Sequence, residues 1–244
     1  MPTGIRTNGM TAAAAALAMY ERRQQVLANN LANANTAGFK AERTFSRLIE
    51  GAIAATETAT DRRPGTLAES GNPLDLALEG DGFLVVQTAR GERLTRGGSF
   101  RLDGERRLVD AEGNALLAEA NTAAGETGAI TLPPGTVQVR TDGTVSVNDR
   151  VVARLRLESV PPNVALEKDG ANRYLPPAEA AQRTPLAPEA RRLRQGFIEE
   201  SNVNTIEAMT AMIDTLHRYS AAQRSISVLD DVRGRAATDI GKPA

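Results

Sequence analysis

The sequence contains no cysteine and no tryptophan, a single histidine, and only 3% aromatic residues. Without cysteine, disulfide frameworks, thiolate nucleophiles and zinc-thiolate sites are excluded together. So few aromatic rings are poor material for stacking bases or sugars, which argues against single-strand and carbohydrate binding. A dominant charge is missing as well: 29 Lys plus Arg stand against 30 Asp plus Glu, a formal charge of −1. No electrostatic pull toward nucleic acid or anionic lipid is expected from that balance. Long hydrophobic runs are also lacking. Ala12–Ala16 lies in an apolar stretch, but Tyr20-Glu21-Arg22-Arg23 follows at once and no basic region precedes it. Neither membrane insertion nor a cleaved signal peptide is expected.

At 244 residues the chain is long enough for a sizeable core in one or two domains. It reads as helix, β-rich middle, helix. Met10, Ala13, Leu17, Tyr20, Leu27 and Leu31 keep a three-and-four spacing, the pattern of a coiled-coil seam. That helix is expected to fade near Gly38, where glycine can take the left-handed conformation that closes a helix and Phe39 can supply the apolar contact. Within it, LANNLANANTAGFK packs Asn29, Asn30, Asn33 and Asn35 into Leu27–Lys40. Each asparagine costs roughly 0.5–0.7 kcal/mol against alanine in a helix interior, so the amides need another use. Asn29 and Asn33, four apart, are expected on one helix face, where buried amides would fix alignment between neighbours at some cost in stability.

Residues 46–69 read as a linker with a short helical piece around Leu48–Ala55 and a breaker at Arg63-Pro64-Gly65. Residues 70–195 read as a mostly antiparallel β domain. Its strands are Phe83-Leu84-Val85-Val86, Val137-Gln138-Val139, Val145-Ser146-Val147 and Val151–Leu157, with a hairpin turn at Asp142-Gly143. Beyond a proline-rich exit, Ser201-Asn202 is expected to cap a second helix. Its apolar positions Ile206, Met209, Ile213, Leu216, Tyr219, Ile226 and Leu229 repeat the three-and-four spacing. The fold class is therefore α+β, with amphipathic, coiled-coil-like helices at the N- and C-termini flanking an inserted β domain. The assembly domain comprises 1–45 and 196–244. Neither helix can bury its stripe alone, so they must pair with each other, with other copies, or with both.

No catalytic constellation emerges. His217 lacks marked partners and reads as a solvated or interface residue. Glu79-Gly80-Asp81-Gly82 lacks the ligand spacing of a calcium loop and reads as a turn before Phe83. Gly97-Gly98 opens no phosphate-binding helix, and Glu199-Glu200 reads as favourable charge ahead of a helix N-terminus. No cofactor, metal or enzymatic activity is expected.

Several stretches carry a resemblance. LANNLANANTAGFK resembles the N-terminal signature of the flagellar axial family, the rod and hook proteins of the bacterial flagellum. SGNPLDLALEGDGFLVV, Ser70–Val86, is similar to the start of that family's β domain, continued by LTRGGSFRLDGERRLVDAEGNALL. QGFIEESNVNTIEAMTAMIDTLHRYSAAQRSI, Gln195–Ile226, is similar to its C-terminal helix motif. One β domain behind a short linker resembles the proximal-rod branch first and the distal-rod branch second. The resemblance implies a structural rod subunit that assembles helically through its terminal helices, transmits torque across the periplasm and leaves the cell unfolded through the flagellar type III export apparatus. Its partners would be copies of itself and other rod and hook proteins. The expected assembly interface is Leu17, Tyr20, Leu27, Asn29, Asn30, Leu31, Asn33, Gly38 and Phe39 at one end, and Asn202, Val203, Ile206, Met209, Ile213, Leu216, Tyr219 and Ile226 at the other. The alternatives are a non-flagellar oligomeric surface scaffold or adhesin, which should not share GNPLDLALEGDGF, and a secreted hydrolase, which should show a nucleophile or metal set.

Overall fold

The computed structural model describes residues 9–49, 52–119, 128–179 and 182–240. A helix stands at each end, α1 (Gly9–Ala32) and α2 (Thr205–Ile240). Between them run β1 (Glu42–Ile49), β2 (Ala52–Thr60), β3 (Leu67–Glu69), β4 (Leu76–Leu78), β5 (Phe83–Thr88), β6 (Gly91–Thr95), β7 (Arg101–Leu102), β8 (Leu108–Val109) and β9 (Ala115–Leu116). They are followed by β10 (Val137–Val139), β11 (Thr144–Val147), β12 (Arg150–Arg154), β13 (Leu157–Ser159), β14 (Arg173–Tyr174), β15 (Thr184–Pro185), β16 (Leu193–Gln195) and β17 (Phe197–Glu199). The fold is α+β with antiparallel strands, as expected. Two compact units result: one of α1, the β1–β2 hairpin and α2, the other of residues 33–41 and 60–203.

In the helical unit, alanine, the strongest helix former, dominates the first turns of α1. The helix stops at Ala32 rather than near Gly38, and a local turn between Asn33 and Thr36 takes its place. Thr36 N donates to Asn33 O at 3.1 Å and Thr36 Oγ1 to Asn33 Oδ1 at 3.3 Å. Gly38, at φ +71°, therefore turns a loop instead of closing the helix. Asn33 lies past the helix end, so it does not share a helix face with Asn29. The expected helical piece in the linker is also corrected. Residues 42–49 and 52–60 form a β-hairpin, in keeping with the strand preference of Thr44, Ile49, Ile53, Thr56, Thr58 and Thr60. The cap of α2 is Asn204, two residues beyond the expected Asn202: its Oδ1 accepts from Ile206 N at 3.1 Å and Glu207 N at 3.2 Å.

The β unit is built around β5. Its run Phe83-Leu84-Val85-Val86 is apolar without alternation because both faces are covered. Leu84 and Val86 enter the larger core with Leu116, Leu132, Val145, Leu155 and Leu157, while Phe83 and Val85 face Leu94, Leu117 and Tyr174. The main sheet runs β14-β6-β5-β9-β8-β7, with β13 pairing β5 and β15. The Asp142-Gly143 turn joins β10 to β11 as expected, with Gly143 at φ +87°. Val151–Leu157 is not one strand: β12 ends at Arg154 and β13 starts at Leu157 in the other sheet. The unit closes by pairing its two ends, β3 with β17 and β4 with β16.

Candidate assembly interface and the ion clasp

The closing strands bring three sequence motifs to one buried point. The Lys40 ammonium donates to Glu199 Oε1 at 2.5 Å, with only 2% and 1% of the two side chains exposed. Arg96 Nη1 lies 3.2 Å from Glu199 Oε2 and donates to Leu78 O at 2.9 Å, and its Nη2 donates to Gly80 O. Gly65 N, donating to Oε1 at 2.8 Å, is the third donor to the Glu199 carboxylate, and Lys40 Nζ also donates to Arg63 O at 2.8 Å. One carboxylate thus pairs with two buried cations, the arrangement that repays desolvation only when every remaining polar group is bonded. Burial pushes the Lys40 amine below the usual lysine range, and the Glu199 hydrogen bond offsets only part of that; burial likewise lowers Arg96. Because the folded state disfavours the protonated amine, the cost of burying that charge is present at neutral pH. It is relieved as pH rises toward the ordinary value of 10.5. Glu199 is consequently a buried structural anion and not the solvent-facing helix-end charge that its position beside Glu200 suggests.

Asn202 is the second strut. Its Oδ1 accepts from Ala41 N at 2.8 Å, and its Nδ2 reaches Asp61 O and Arg63 O, each at 2.9 Å. Gly38 is forced by closeness as well as by φ: a Cβ there would lie 2.5 Å from Arg96 O and 2.7 Å from Gly97 N. Its N–H donates to Glu199 O at 2.6 Å. Phe39 is buried under Lys168, whose Nζ sits 4.2 Å from the ring centroid. Gly38→Ala should therefore lower the urea stability of the chain by at least about 1–3 kcal/mol, the usual cost of overpacking. An unchanged midpoint would show that the backbone gives way there.

In the helical unit, α1 and α2 pack on each other. On α2 the covered line includes Ala208 and Thr215, both buried, and Tyr219 and Ile226, both half-buried. Thr215 Oγ1 satisfies itself on Ala211 O at 2.7 Å, and Tyr219 Oη donates to Glu21 Oε1 at 3.0 Å. On α1, Val26 and Asn30 are buried, while Leu17, Tyr20, Leu27 and Leu31 are half-buried and Asn29 is exposed. A second line on α2 stays outside: Ile206 is 76% exposed, Ile213 56%, and Met209 and Leu216 lie between 40% and 50%. Val203 is half-buried. The expected C-terminal stripe is thus divided in the single chain, with Tyr219 and Ile226 on the covered line and Ile206, Met209, Ile213 and Leu216 on the open one; the Leu229 side chain lies outside those described.

Asn30 answers the question the asparagines raise. Its Nδ2 donates to Glu42 O at 2.8 Å and its Oδ1 accepts from Glu42 N at 2.9 Å, so a helix amide pairs with the first residue of β1. Asn30→Leu leaves both backbone groups without that partner and should cost roughly 1–3 kcal/mol in chemical denaturation. Asn29→Leu, at an exposed position, should stay within about 0.5 kcal/mol. Equal effects at the two positions would contradict this assignment. The spacing of the motif singles out no one asparagine. Lys40, Arg96 and Glu199 were not legible as partners either, because 103 and 159 residues separate Glu199 from the two cations.

Two packed terminal helices with an apolar line left open on one of them, around a β unit closed by a buried ion clasp, form the helix, β domain, helix layout that the resemblance to axial subunits implies. Comparison with known proteins places the chain further. Residues 6–40 match the flagella basal body rod protein model, 77–147 the flagellar hook protein FlgE/F/G D1 domain, and 194–239 the flagellar basal body rod FlgEFG protein C-terminal model. The flagellar basal-body rod protein FlgF of Salmonella typhimurium is 35% identical over 234 residues, covering 87% of this chain and 90% of the relative. FlgF of Caulobacter vibrioides is 30% identical over 236 residues, covering 91% and 93%. The rod protein FlgG of Buchnera aphidicola is 30% identical over 235 residues, covering 85% and 90%. The chain belongs to the flagellar basal-body rod protein family.

Proposed function

We propose that the chain is a structural, non-enzymatic subunit of the flagellar rod, of the proximal type, which joins copies of itself and other rod and hook proteins through its terminal helices. The observation that carries this reading is the open line Ile206, Met209, Ile213 and Leu216 on a helix whose other side already packs on α1. Each such side chain gains about 1.5–3 kcal/mol when fully buried, so a neighbour that covers the line supplies the driving force for assembly. The pattern is that of an amphipathic, coiled-coil-like seam with one side used within the chain and one kept for a neighbour. A filament needs heterologous, head-to-tail contacts, and the expected interface residues at both ends serve that role. Gly38, Phe39 and Asn202 act through the clasp that holds their segments, rather than by touching a neighbour. In the same reading 1–45 with 196–244 is the assembly domain and 70–195 the central domain. The subunit reaches the periplasm through the flagellar type III export apparatus and carries torque there.

The relatives FlgF and FlgG are both named as basal-body rod proteins, and no group of acidic and histidine side chains able to hold a metal occurs among the described residues. The scaffold, adhesin and hydrolase alternatives have no comparable support. Removing residues 204–244 from the chain should abolish swimming and rod completion in a host that lacks its own copy, while the β unit keeps its closing strands. Normal swimming with that truncation would overturn the proposal.

A further inference from the structure

Residues 193–202 form one strap that binds distant parts of the β unit together. Leu193 enters the larger core, and its N–H donates to Thr141 O at 3.0 Å. Among the described residues β16 is the only strand paired with β4, and β17 the only one paired with β3. The Gln195 side chain edges β10, accepting from Val139 N and donating to Val137 O, each at 3.0 Å. Further along, Glu199 O accepts from Gly38 N and Glu200 N donates to Thr66 O at 2.8 Å. The bonds of the strap reach back 134 residues to Gly65, 159 to Lys40 and 161 to Ala41.

A β unit closed in every other respect but lacking the strap would be defective at several points at once. Lys40 and Arg96, whose side chains are 2% and 3% exposed, would be buried without their carboxylate. The three-residue strands β3 and β4 would have no partner, and a hole would stand in the core at Leu193. Net stability is a small difference between large terms, so a domain with all of these defects does not stay closed. The loops that the strap closes are also long, and their entropy is repaid only when many of the contacts form together.

We infer that residues 193–202 are a folding latch: the β unit stays open until this strap docks, and then closes in one step. A chain delivered N-terminus first, as from the ribosome, therefore cannot complete the unit before residue 202 is free to dock. The latch is a property of the single chain. Its consequence for export rests on the rod-subunit reading: the β unit stays open until its C-terminal strap has followed the rest of the unit through the export apparatus.

Refolding of the full chain from urea, sampled by pulsed hydrogen exchange, tests the latch. The Leu117 amide, which donates to Val85 O at 2.9 Å, reports the main sheet, and the Leu193 and Gly38 amides report the docked strap. All three are expected to gain protection in the same kinetic phase. Protection of Leu117 in an earlier phase, with Leu193 and Gly38 still exchanging, overturns the latch and leaves the rod reading standing. Gln195→Ala gives a second reading, because it removes the side-chain bonds to β10 and spares the backbone of the strap. It should slow refolding by at least about threefold, since a contact already made in the transition state is felt in the folding rate. Unchanged refolding with faster unfolding would set strap docking after closure and contradict the latch. Absence of the chain from basal bodies, with coincident protection in refolding, overturns the rod reading and the export consequence while upholding the latch.

Discussion

Glu199→Gln should destabilise the β unit by about 3–5 kcal/mol, the cost of leaving buried charges unpaired. The neutral amide keeps the shape of the side chain but removes the carboxylate that touches both Lys40 and Arg96. Lys40→Met should cost clearly less, because Glu199 keeps Arg96 and the Gly65 N–H, and because the wild-type protein already bears the desolvation of the Lys40 amine. The order of the two variants, rather than either value, is the diagnostic. Urea unfolding of the full chain followed by circular dichroism reads it, and Lys40→Met proving the worse of the two would show that the clasp is not organised around Glu199.

Met209→Glu combined with Ile213→Glu should abolish swimming and leave the folded monomer nearly untouched. Both positions are exposed on α2, so each substitution should change monomer stability by no more than about 0.5 kcal/mol. Glutamate is also a good helix former, which protects α2 itself. The proposed assembly sets the same two side chains under a neighbour, where lost apolar burial of about 1.5–3 kcal/mol per residue would be compounded by desolvated charge. Thr215→Asp provides the contrast: it falls on the buried line of α2 and should already destabilise the isolated chain. Swimming cells with the double variant, or a monomer melted by it, would separate the open line from assembly.

The helices at the two ends of the chain are legible in the sequence because a helix leaves a period that local reading detects. The three-and-four spacing of Ile206, Met209, Ile213 and Leu216 marks a real line on α2, although spacing alone could not say that this line stays open while Ala208 and Thr215 take the covered side. Small residues such as Ala208 make close helix packing possible without adding to an apolar count. Residues 42–60 carry no decisive local signal, because alanine, threonine and charge suit several conformations. What commits them to a hairpin is tertiary, the Asn30 amide on Glu42 and the pairing of Ala41 with Asp61. Local propensity is weak against such contacts. The clasp was illegible for a related reason: an ion triad from Lys40, Arg96 and Glu199 has no sequence period, and each member alone resembles an ordinary charged residue. Gly38 carried a partial signal, since a glycine between Ala37 and Phe39 announces a special backbone, but the reason is the approach of Arg96 and Gly97 and not a helix cap.

The measurement that bears most directly on the central claim is the protein content of purified basal bodies from cells expressing this chain in place of the host's own copy. The rod assignment predicts that the full chain is present in basal bodies stripped of membrane and filament, and that the Met209→Glu, Ile213→Glu chain is absent from them although it folds. A full chain that never enters the basal body while the cells swim normally would contradict it.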